Sequence, residues 1–162
     1  MTRRTGFDSV DAAILLAMTA SPRATVLALA QRVLLSRNTI QARLTRWDQD
    51  ELLLSFERRI DPESLGYRLT AFITASVVQR QLDAVAGALR DIPEVLEVHG
   101  VSGERDLLIR VVGEDADDLY RVAGSILAIP GVERTSTALV MRQLVAFRMT
   151  PLLQIVARRK GR

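Results

Sequence analysis

The chain has 162 residues and no cysteine, which excludes disulfide bonds and thiolate metal sites. Apolar residues make up 48% of the sequence, enough for a packed core, and no apolar run is long enough to cross a membrane. The net charge of +3 is uneven, because residues 1–62 carry +2, residues 63–147 carry −4 and residues 148–162 carry +5. This pattern predicts two modules with different partners. No membrane partner is expected, and the lack of cysteine is compatible with a reducing cytoplasm.

Three short helices are predicted within the first fifty residues. Asp8 can cap a first helix that runs to about Thr19. Thr25 and Ser36 are suitable N-caps for the second and third helices, and the third runs to about Asp50. The second and third helices, separated by a tight turn, have the layout of a helix-turn-helix.

The third helix has two contrasting faces. Ile40, Leu44 and Trp47 recur at helical spacing and form one apolar stripe. A helix that packs by one face and offers short polar side chains and arginine on the other suits the DNA major groove. The side chains predicted to point away from the stripe are Asn38, Thr39, Gln41, Ala42, Thr45 and Arg46.

The helix-turn-helix region is also rich in positive charge. No acidic residue occurs between Ala12 and Trp47. Uncompensated positive charge favours phosphate binding, although a three-helix subdomain with a solvated basic face is the alternative. The arginines in this region are Arg23, Arg32, Arg37, Arg43 and Arg46.

The chain beyond the third helix predicts a β-wing and then a separate α+β domain. Leu52–Arg59 is predicted as a strand or wing, and Pro62 to Gly66 as a hinge. Gln143–Arg148 is a candidate extension of the sheet. The βαββαβ order is ferredoxin-like, and a second copy of the chain is the simplest cover for the sheet face without helices. The predicted elements are strands Tyr67–Gln79, Val95–Val101, Leu107–Val112 and Val132–Met141, with helices Leu82–Ile92 and Asp115–Ala128.

The sequence offers little for catalysis. His99 is the only histidine, which makes a zinc site improbable, and no nucleophile elbow or phosphate-binding glycine loop is present. The acidic residues that begin at Glu114 are interpreted as a helix N-terminus. No catalytic residue, metal or cofactor is therefore predicted.

The loop Ser102–Asp106 joins two central strands and is a candidate ligand site. Gly103 permits close approach of the backbone, and Glu104 or Asp106 could receive an ammonium group. An ordinary polar β-turn is the alternative, and the residue types alone favour it.

Taken together, these motifs resemble the Lrp/AsnC family of feast/famine regulators over about Phe7 to Val145. The motifs that carry the resemblance are Phe7-Asp8-x-x-Asp11-x-x-Ile14-Leu15, Arg23-Ala24-Thr25 with Leu29-Ala30, Val33 and Leu35-Ser36, Arg43-Leu44-x-x-Trp47, Asp61-Pro62-x-x-Leu65-Gly66, Val101-Ser102-Gly103-x-x-Asp106, and Pro130-Gly131-Val132-x-x-Thr135-x-Thr137.

The resemblance implies a winged helix-turn-helix DNA-binding domain with its linker over residues 1–62. It implies a ferredoxin-like domain for ligand sensing and oligomerisation over residues 63–150, and leaves residues 151–162 as a basic tail. The expected partners are double-stranded DNA, a small effector such as an amino acid, and further copies of the chain in a dimer or octamer. The DNA-binding candidates are Ser36, Arg37, Asn38, Thr39, Gln41, Ala42, Arg43, Thr45 and Arg46. The effector-binding candidates are Ser102, Gly103, Glu104, Asp106, Thr135 and Thr137.

The chain departs from the family at two positions and in its tail. The family usually has glycine where this chain has Leu34 and Glu51. Glycine there typically adopts positive φ, which costs another residue about 1 kcal/mol or more. The alternatives are therefore a reshaped turn or weakened DNA binding. The tail after Pro151 either adds phosphate contacts or is disordered.

Two further functions stay open at this point. Some haem-biosynthesis decarboxylases resemble the family in both domains, and His99 with the many arginines could bind a carboxylated tetrapyrrole. A metabolite sensor that has lost DNA binding is the other alternative, and the substitutions at Leu34 and Glu51 are its only support.

Overall fold

The computed structural model describes residues 6–159, so the last three residues of the basic tail lie outside it. The chain divides into two compact units. The first contains Met1–Phe56 together with Val145–Arg162, and the second contains Glu57–Leu144. Within the described part of the chain, no helix has the length and apolar character needed to cross a bilayer.

The first unit begins with the three predicted helices, which the structure confirms. Each starts at the expected cap: the side chains of Asp8, Thr25 and Ser36 accept a backbone N–H three residues on. The helices are α1 (Ser9–Ala20), α2 (Val26–Val33) and α3 (Arg37–Gln49).

The core of the first unit forms where the three apolar faces meet. Ile14, Leu29, Ile40 and Trp47 are all buried in one cluster. The ring of Phe7 meets Trp47 edge to face, with 5.6 Å between the ring centroids. The predicted stripe on α3 is therefore the face that packs, which leaves its other side available.

The second unit has the predicted ferredoxin-like order. Its elements are β1 (Leu69–Val77), α4 (Leu82–Arg90), β2 (Val95–Gly100), β3 (Leu107–Gly113), α5 (Ala116–Leu127) and β4 (Val132–Leu139). The four strands form an antiparallel sheet in the order β2-β3-β1-β4.

The two helices cover one face of this sheet. Ile73 of β1 and Ile109 of β3 are fully buried against Leu89 of α4 and Ile126 of α5. On the opposite face, Phe72 of β1 is 38% exposed in the single chain. The sheet therefore has one packed and one open face, as the βαββαβ pattern predicts.

The strand or wing predicted over Leu52–Arg59 is wrong. Phe56–Arg59 forms a 3-10 helix, and none of the four strands described for the chain lies in this segment. A strand needs a neighbour to complete its hydrogen bonds, and the sheet provides none here. Leu54 and Phe56 are also mostly exposed, so no core fixes an alternating pattern.

The predicted extension of the sheet over Gln143–Arg148 is also wrong. β4 ends at Leu139, and the N–H of Val140 donates a last bond to the carbonyl of Thr70 at 2.9 Å. Because β1 begins at Leu69, later residues have no antiparallel partner.

The segment after Pro151 forms a helix that was not predicted. Helix α6 (Thr150–Arg158) has Pro151 in its first turn, where the missing N–H costs no helical hydrogen bond. It packs against α1, with Leu153 and Val156 half-buried. Disorder of the described part of the tail is therefore the wrong alternative.

Both positions at which glycine was expected have the left-handed backbone. Leu34 has φ +57° and caps α2, and Glu51 has φ +49° after α3. The Leu34 side chain is 90% exposed, so no packing offsets its strained backbone. The turn is therefore not reshaped, and the chain retains the strain.

We expect Leu34→Gly to raise the free energy of unfolding by about 1 kcal/mol, because glycine adopts positive φ without a Cβ clash. Urea unfolding followed by fluorescence of Trp47, the only tryptophan, measures this change. Leu34→Ala is the matched control, since it removes the exposed side chain and keeps the Cβ. An equal gain from alanine would show that the strain is not the cause.

Candidate nucleic-acid interface and effector loop

The N-terminal part of α3 presents the predicted polar face. The hydroxyl of Ser36 accepts the Thr39 N–H at 3.1 Å and lies 2.8 Å from the Thr39 hydroxyl oxygen. The Ser36 hydroxyl therefore makes its contacts within α3, whereas most of the candidate side chains that follow it are exposed. The exposed candidates on this surface are Ser36, Arg37, Asn38, Gln41, Ala42 and Thr45, with Thr39 half-buried.

Two other candidate arginines point inward, to a buried carboxylate on α1. Asp11 is fully buried, and its Oδ1 accepts bonds from Arg43 at 3.0 Å and from the Trp47 indole N–H at 3.1 Å. Its Oδ2 accepts a bond from Arg46 at 2.6 Å. Arg43 also bonds the Asp8 carboxylate. Arg46 was expected on the outward face, and the structure instead half-buries it in this network.

The network ties the start of α1 to the end of α3. Asp8 and Asp11 form a reciprocal capping box, with N–H to carboxylate distances of 2.8 and 3.0 Å. A buried carboxylate is tolerated only when it is paired and hydrogen-bonded, and here α3 supplies every partner outside the cap. The polar face of α3 is thereby held in one orientation on the first unit.

The ionisation states of Asp8 and Arg43 favour the same arrangement. Burial raises the pKa of Asp8, but the Asp11 N–H and the Arg43 guanidinium outweigh it and hold that pKa below its usual value. The hydrogen bond to Asp8 in turn raises the pKa of Arg43. Both partners of this pair are charged at neutral pH.

Sequence reasoning missed the role of Asp11. The signal was present, because Asp11 is three residues from Asp8 and lies on the same side of α1 as the buried Ile14. An acidic residue at an inward position requires a cationic partner. The acid-free stretch after Asp11 contains the two arginines that pair with it, Arg43 and Arg46.

We expect Asp11→Ala to lower the free energy of unfolding by about 3 kcal/mol, because it leaves Arg43 and Arg46 without their buried counter-charge. Trp47 fluorescence during urea unfolding reports the loss. Asp48→Ala is the control, since Asp48 is exposed on α3, and should change stability by less than about 0.5 kcal/mol. A similar small effect at Asp11 would contradict the structural role of the network.

The remaining arginines of the region divide between structure and surface. Arg32 donates to the Ser21 hydroxyl at 2.8 Å and reaches the Ala17 carbonyl at 3.5 Å, at the C-terminus of α1. Arg23 and Arg37 are exposed and form no ion pair within residues 6–159. Only these two of the five predicted arginines are free to meet a phosphate without first breaking an internal contact.

In the second unit, Asp106 is the residue that fixes the candidate effector loop. Its N–H donates to the Ala75 carbonyl at 3.0 Å, and its carboxylate accepts the Val77 N–H at 2.9 Å. Its carbonyl accepts the Val101 N–H at 2.9 Å, which closes the loop on itself. Asp106 therefore clamps the loop to the end of β1.

The three other candidates in the loop lie on its exposed side. Ser102, Gly103 and Glu104 are all exposed, and Gly103 has φ +129°, which a side chain would strain. Arg105 bonds the Ser76 hydroxyl at 3.1 Å and so adds a second anchor to β1. The loop is anchored to β1 by Asp106 and Arg105, and it presents one free carboxylate, that of Glu104.

The two threonine candidates lie across β1 from the loop. Thr135 pairs with Ala75 and Thr137 pairs with Ile73, so both occupy β4. Asp106 and Thr135 thus lie on opposite sides of Ala75 in β1. Two strand spacings separate their backbones, a distance of roughly 10 Å.

A separate cleft of about 550 Å³ lies in the second unit and contains none of the effector candidates. Its charged lining centres on Glu97, which pairs with Arg58 at 2.6 Å and lies 4.0 Å from Arg110. His99 lies 3.7 Å from Glu97 on the exposed surface. Among the described residues, no group of three or more potential metal-binding side chains exists.

Comparison with known proteins matches both units. A family model for the AsnC-type helix-turn-helix domain matches residues 7–46, and one for the Lrp/AsnC ligand binding domain matches residues 70–150. The HTH-type transcriptional regulator FL11 of Pyrococcus horikoshii is 29% identical over 86% of this chain and 92% of its own. The proline dehydrogenase transcriptional activator of Rhizobium radiobacter is 34% identical over 85% and 90%. A Neisseria meningitidis transcriptional regulator solved with L-Met has a TM-score of 0.80 at 25% identity, covering 93% and 99%.

Proposed function

Because the chain belongs to the Lrp/AsnC family of transcriptional regulators, we propose that it binds double-stranded DNA sequence-specifically and responds to a small effector, an amino acid. The observation that carries the DNA-binding proposal is the exposed polar face of α3, held in place by the buried Asp11 network. The proposal places the protein in the cytoplasm, without a catalytic role.

In this proposal, α3 enters the major groove by its N-terminal half. Arg37 can make a bidentate contact to guanine, and Asn38 or Gln41 can do the same with adenine. Ala42 and Thr45 supply the small surface that lets the helix approach the base edges, where a thymine methyl can pack. Arg43 and Arg46 act mainly as positioning residues, because their guanidinium groups hold Asp11.

A homodimer provides the two half-site contacts that such a regulator needs. Two copies of α3 would enter successive major grooves, about one helical turn apart. The open face of the sheet, with the partly exposed Phe72, supports self-association through the second unit. The proposal includes the further assembly of such dimers into an octamer.

The effector proposal centres on the loop Ser102–Asp106. Ser102 and the backbone N–H groups beside Gly103 can take a carboxylate, and Glu104 can take an ammonium group. The Neisseria relative was solved with L-Met, which supports an amino acid as the class of ligand. Asp106 positions the loop, since Val77 already occupies one of its carboxylate oxygens.

We expect Arg37→Ala to weaken binding to a duplex from upstream of the protein's own gene by about 1–3 kcal/mol. Fluorescence anisotropy at several salt concentrations measures both the affinity and its salt dependence. Arg90→Ala is the matched control, because Arg90 is an exposed arginine on α4 of the acidic unit. Equal effects of the two substitutions, or no binding by the parent protein at low salt, would count against α3 as the reading helix.

We expect an amino acid to stabilise the protein thermally, and Glu104→Gln to reduce that stabilisation by removing the charge that meets the ammonium group. A thermal-shift screen of the twenty amino acids, with L-methionine first, measures this. Asp106→Asn is the comparison, because an amide oxygen can still accept the Val77 N–H. If Asp106→Asn abolishes the shift and Glu104→Gln retains it, the assignment of the ammonium site is wrong.

A further inference from the structure

The division into two units concentrates positive charge in the first. Residues 1–56 have seven basic and five acidic side chains, and residues 145–162 add five basic and no acidic ones. The first unit thus carries +7, while residues 57–144, with ten basic and fourteen acidic side chains, carry −4. Most of the excess charge of the unit that contains the helix-turn-helix comes from its C-terminal segment.

The helix-turn-helix itself has little free positive charge to offer. Arg43 and Arg46 are neutralised by Asp8 and Asp11, and Arg32 is bonded to the end of α1. A protein that binds DNA needs several phosphate contacts, each with an accessible cation. Within residues 6–56 only Arg23 and Arg37 remain free for phosphates, so cations elsewhere in the unit would add to the affinity.

Helix α6 carries such cations and is held in place by its packing against α1. Its residues therefore belong to the unit that carries α3. Arg158 and Arg159 at its end are exposed and form no ion pair within the described residues. Lys160 and Arg162 follow directly in the sequence. One arginine in the last turn complements the helix dipole, but four cations within five residues exceed that need.

We propose that the exposed cations at the C-terminal end of α6, Arg158 and Arg159, form a second DNA-binding surface that contacts phosphates outside the site read by α3. This inference rests on the proposed DNA-binding function. Its ligand is the sugar-phosphate backbone of double-stranded DNA, so it adds affinity without sequence preference.

The test compares three double variants by fluorescence anisotropy over a range of KCl concentrations. Arg158→Gln with Arg159→Gln removes two charges from the end of α6. Arg80→Gln with Arg90→Gln removes two exposed charges from the second unit and is the matched control. Arg158→Lys with Arg159→Lys keeps the charge, and circular dichroism checks that each variant keeps its helices.

We expect the glutamine variant at 158 and 159 to flatten the plot of log K against log salt by about 0.9 for each phosphate that the protein no longer neutralises, or about 1.8 per protomer. Its affinity should fall by the same factor for the upstream duplex and for a scrambled duplex, so their ratio stays unchanged. The lysine variant and the control should retain the parental slope.

Three results would overturn the inference. The glutamine variant could keep the parental salt slope, or the control could flatten that slope equally. The third is a lysine variant that binds DNA as weakly as the glutamine variant. Loss of binding to phosphatidylserine vesicles with an unchanged DNA slope would assign the surface to membranes instead. If the parent protein binds neither duplex, the proposed function itself fails and this inference falls with it.

Discussion

The structure of the first unit depends on one buried negative charge. Asp11 has no access to solvent, and its carboxylate is stable there because Arg43, Arg46 and Trp47 donate to it. These three side-chain donors lie on α3, while Asp11 lies on α1. The orientation of α3 is therefore specified by directional bonds as well as by apolar packing, which alone tolerates small rotations.

This constraint separates two roles that arginine-rich helices often combine. The inward arginines at the C-terminal end of α3 fix the helix, and the N-terminal turns stay free for a ligand. Arg37 is then the one exposed arginine on the outward face of α3. In such an arrangement, the side chains that read bases are few, and accurate placement of the helix matters more than its total charge.

Local signals in the sequence were enough to predict most of the fold. Helix caps, apolar spacing and the βαββαβ order all act over a few residues, and the structure bears them out at α1 to α5 and β1 to β4. The errors at Leu52–Arg59 and Gln143–Arg148 have a shared cause. β-propensity was present in both segments, but a strand also needs a partner, and the partner is set by the register of distant residues. Helix α6 was missed because it depends on packing against α1, far away in the sequence.

The candidate sites were less predictable than the fold, because their chemistry depends on which polar groups are already bonded. Arg46 and Asp106 illustrate the point, since each has a charge suited to a ligand and each makes internal bonds instead. The remaining free groups are Arg37 on α3 and Glu104 in the loop. Those internal bonds hold both α3 and the loop in place. A charged residue of this protein can therefore be assigned to a ligand only after its bonds within the fold are counted, and the same count directs attention to the unpaired arginines of α6.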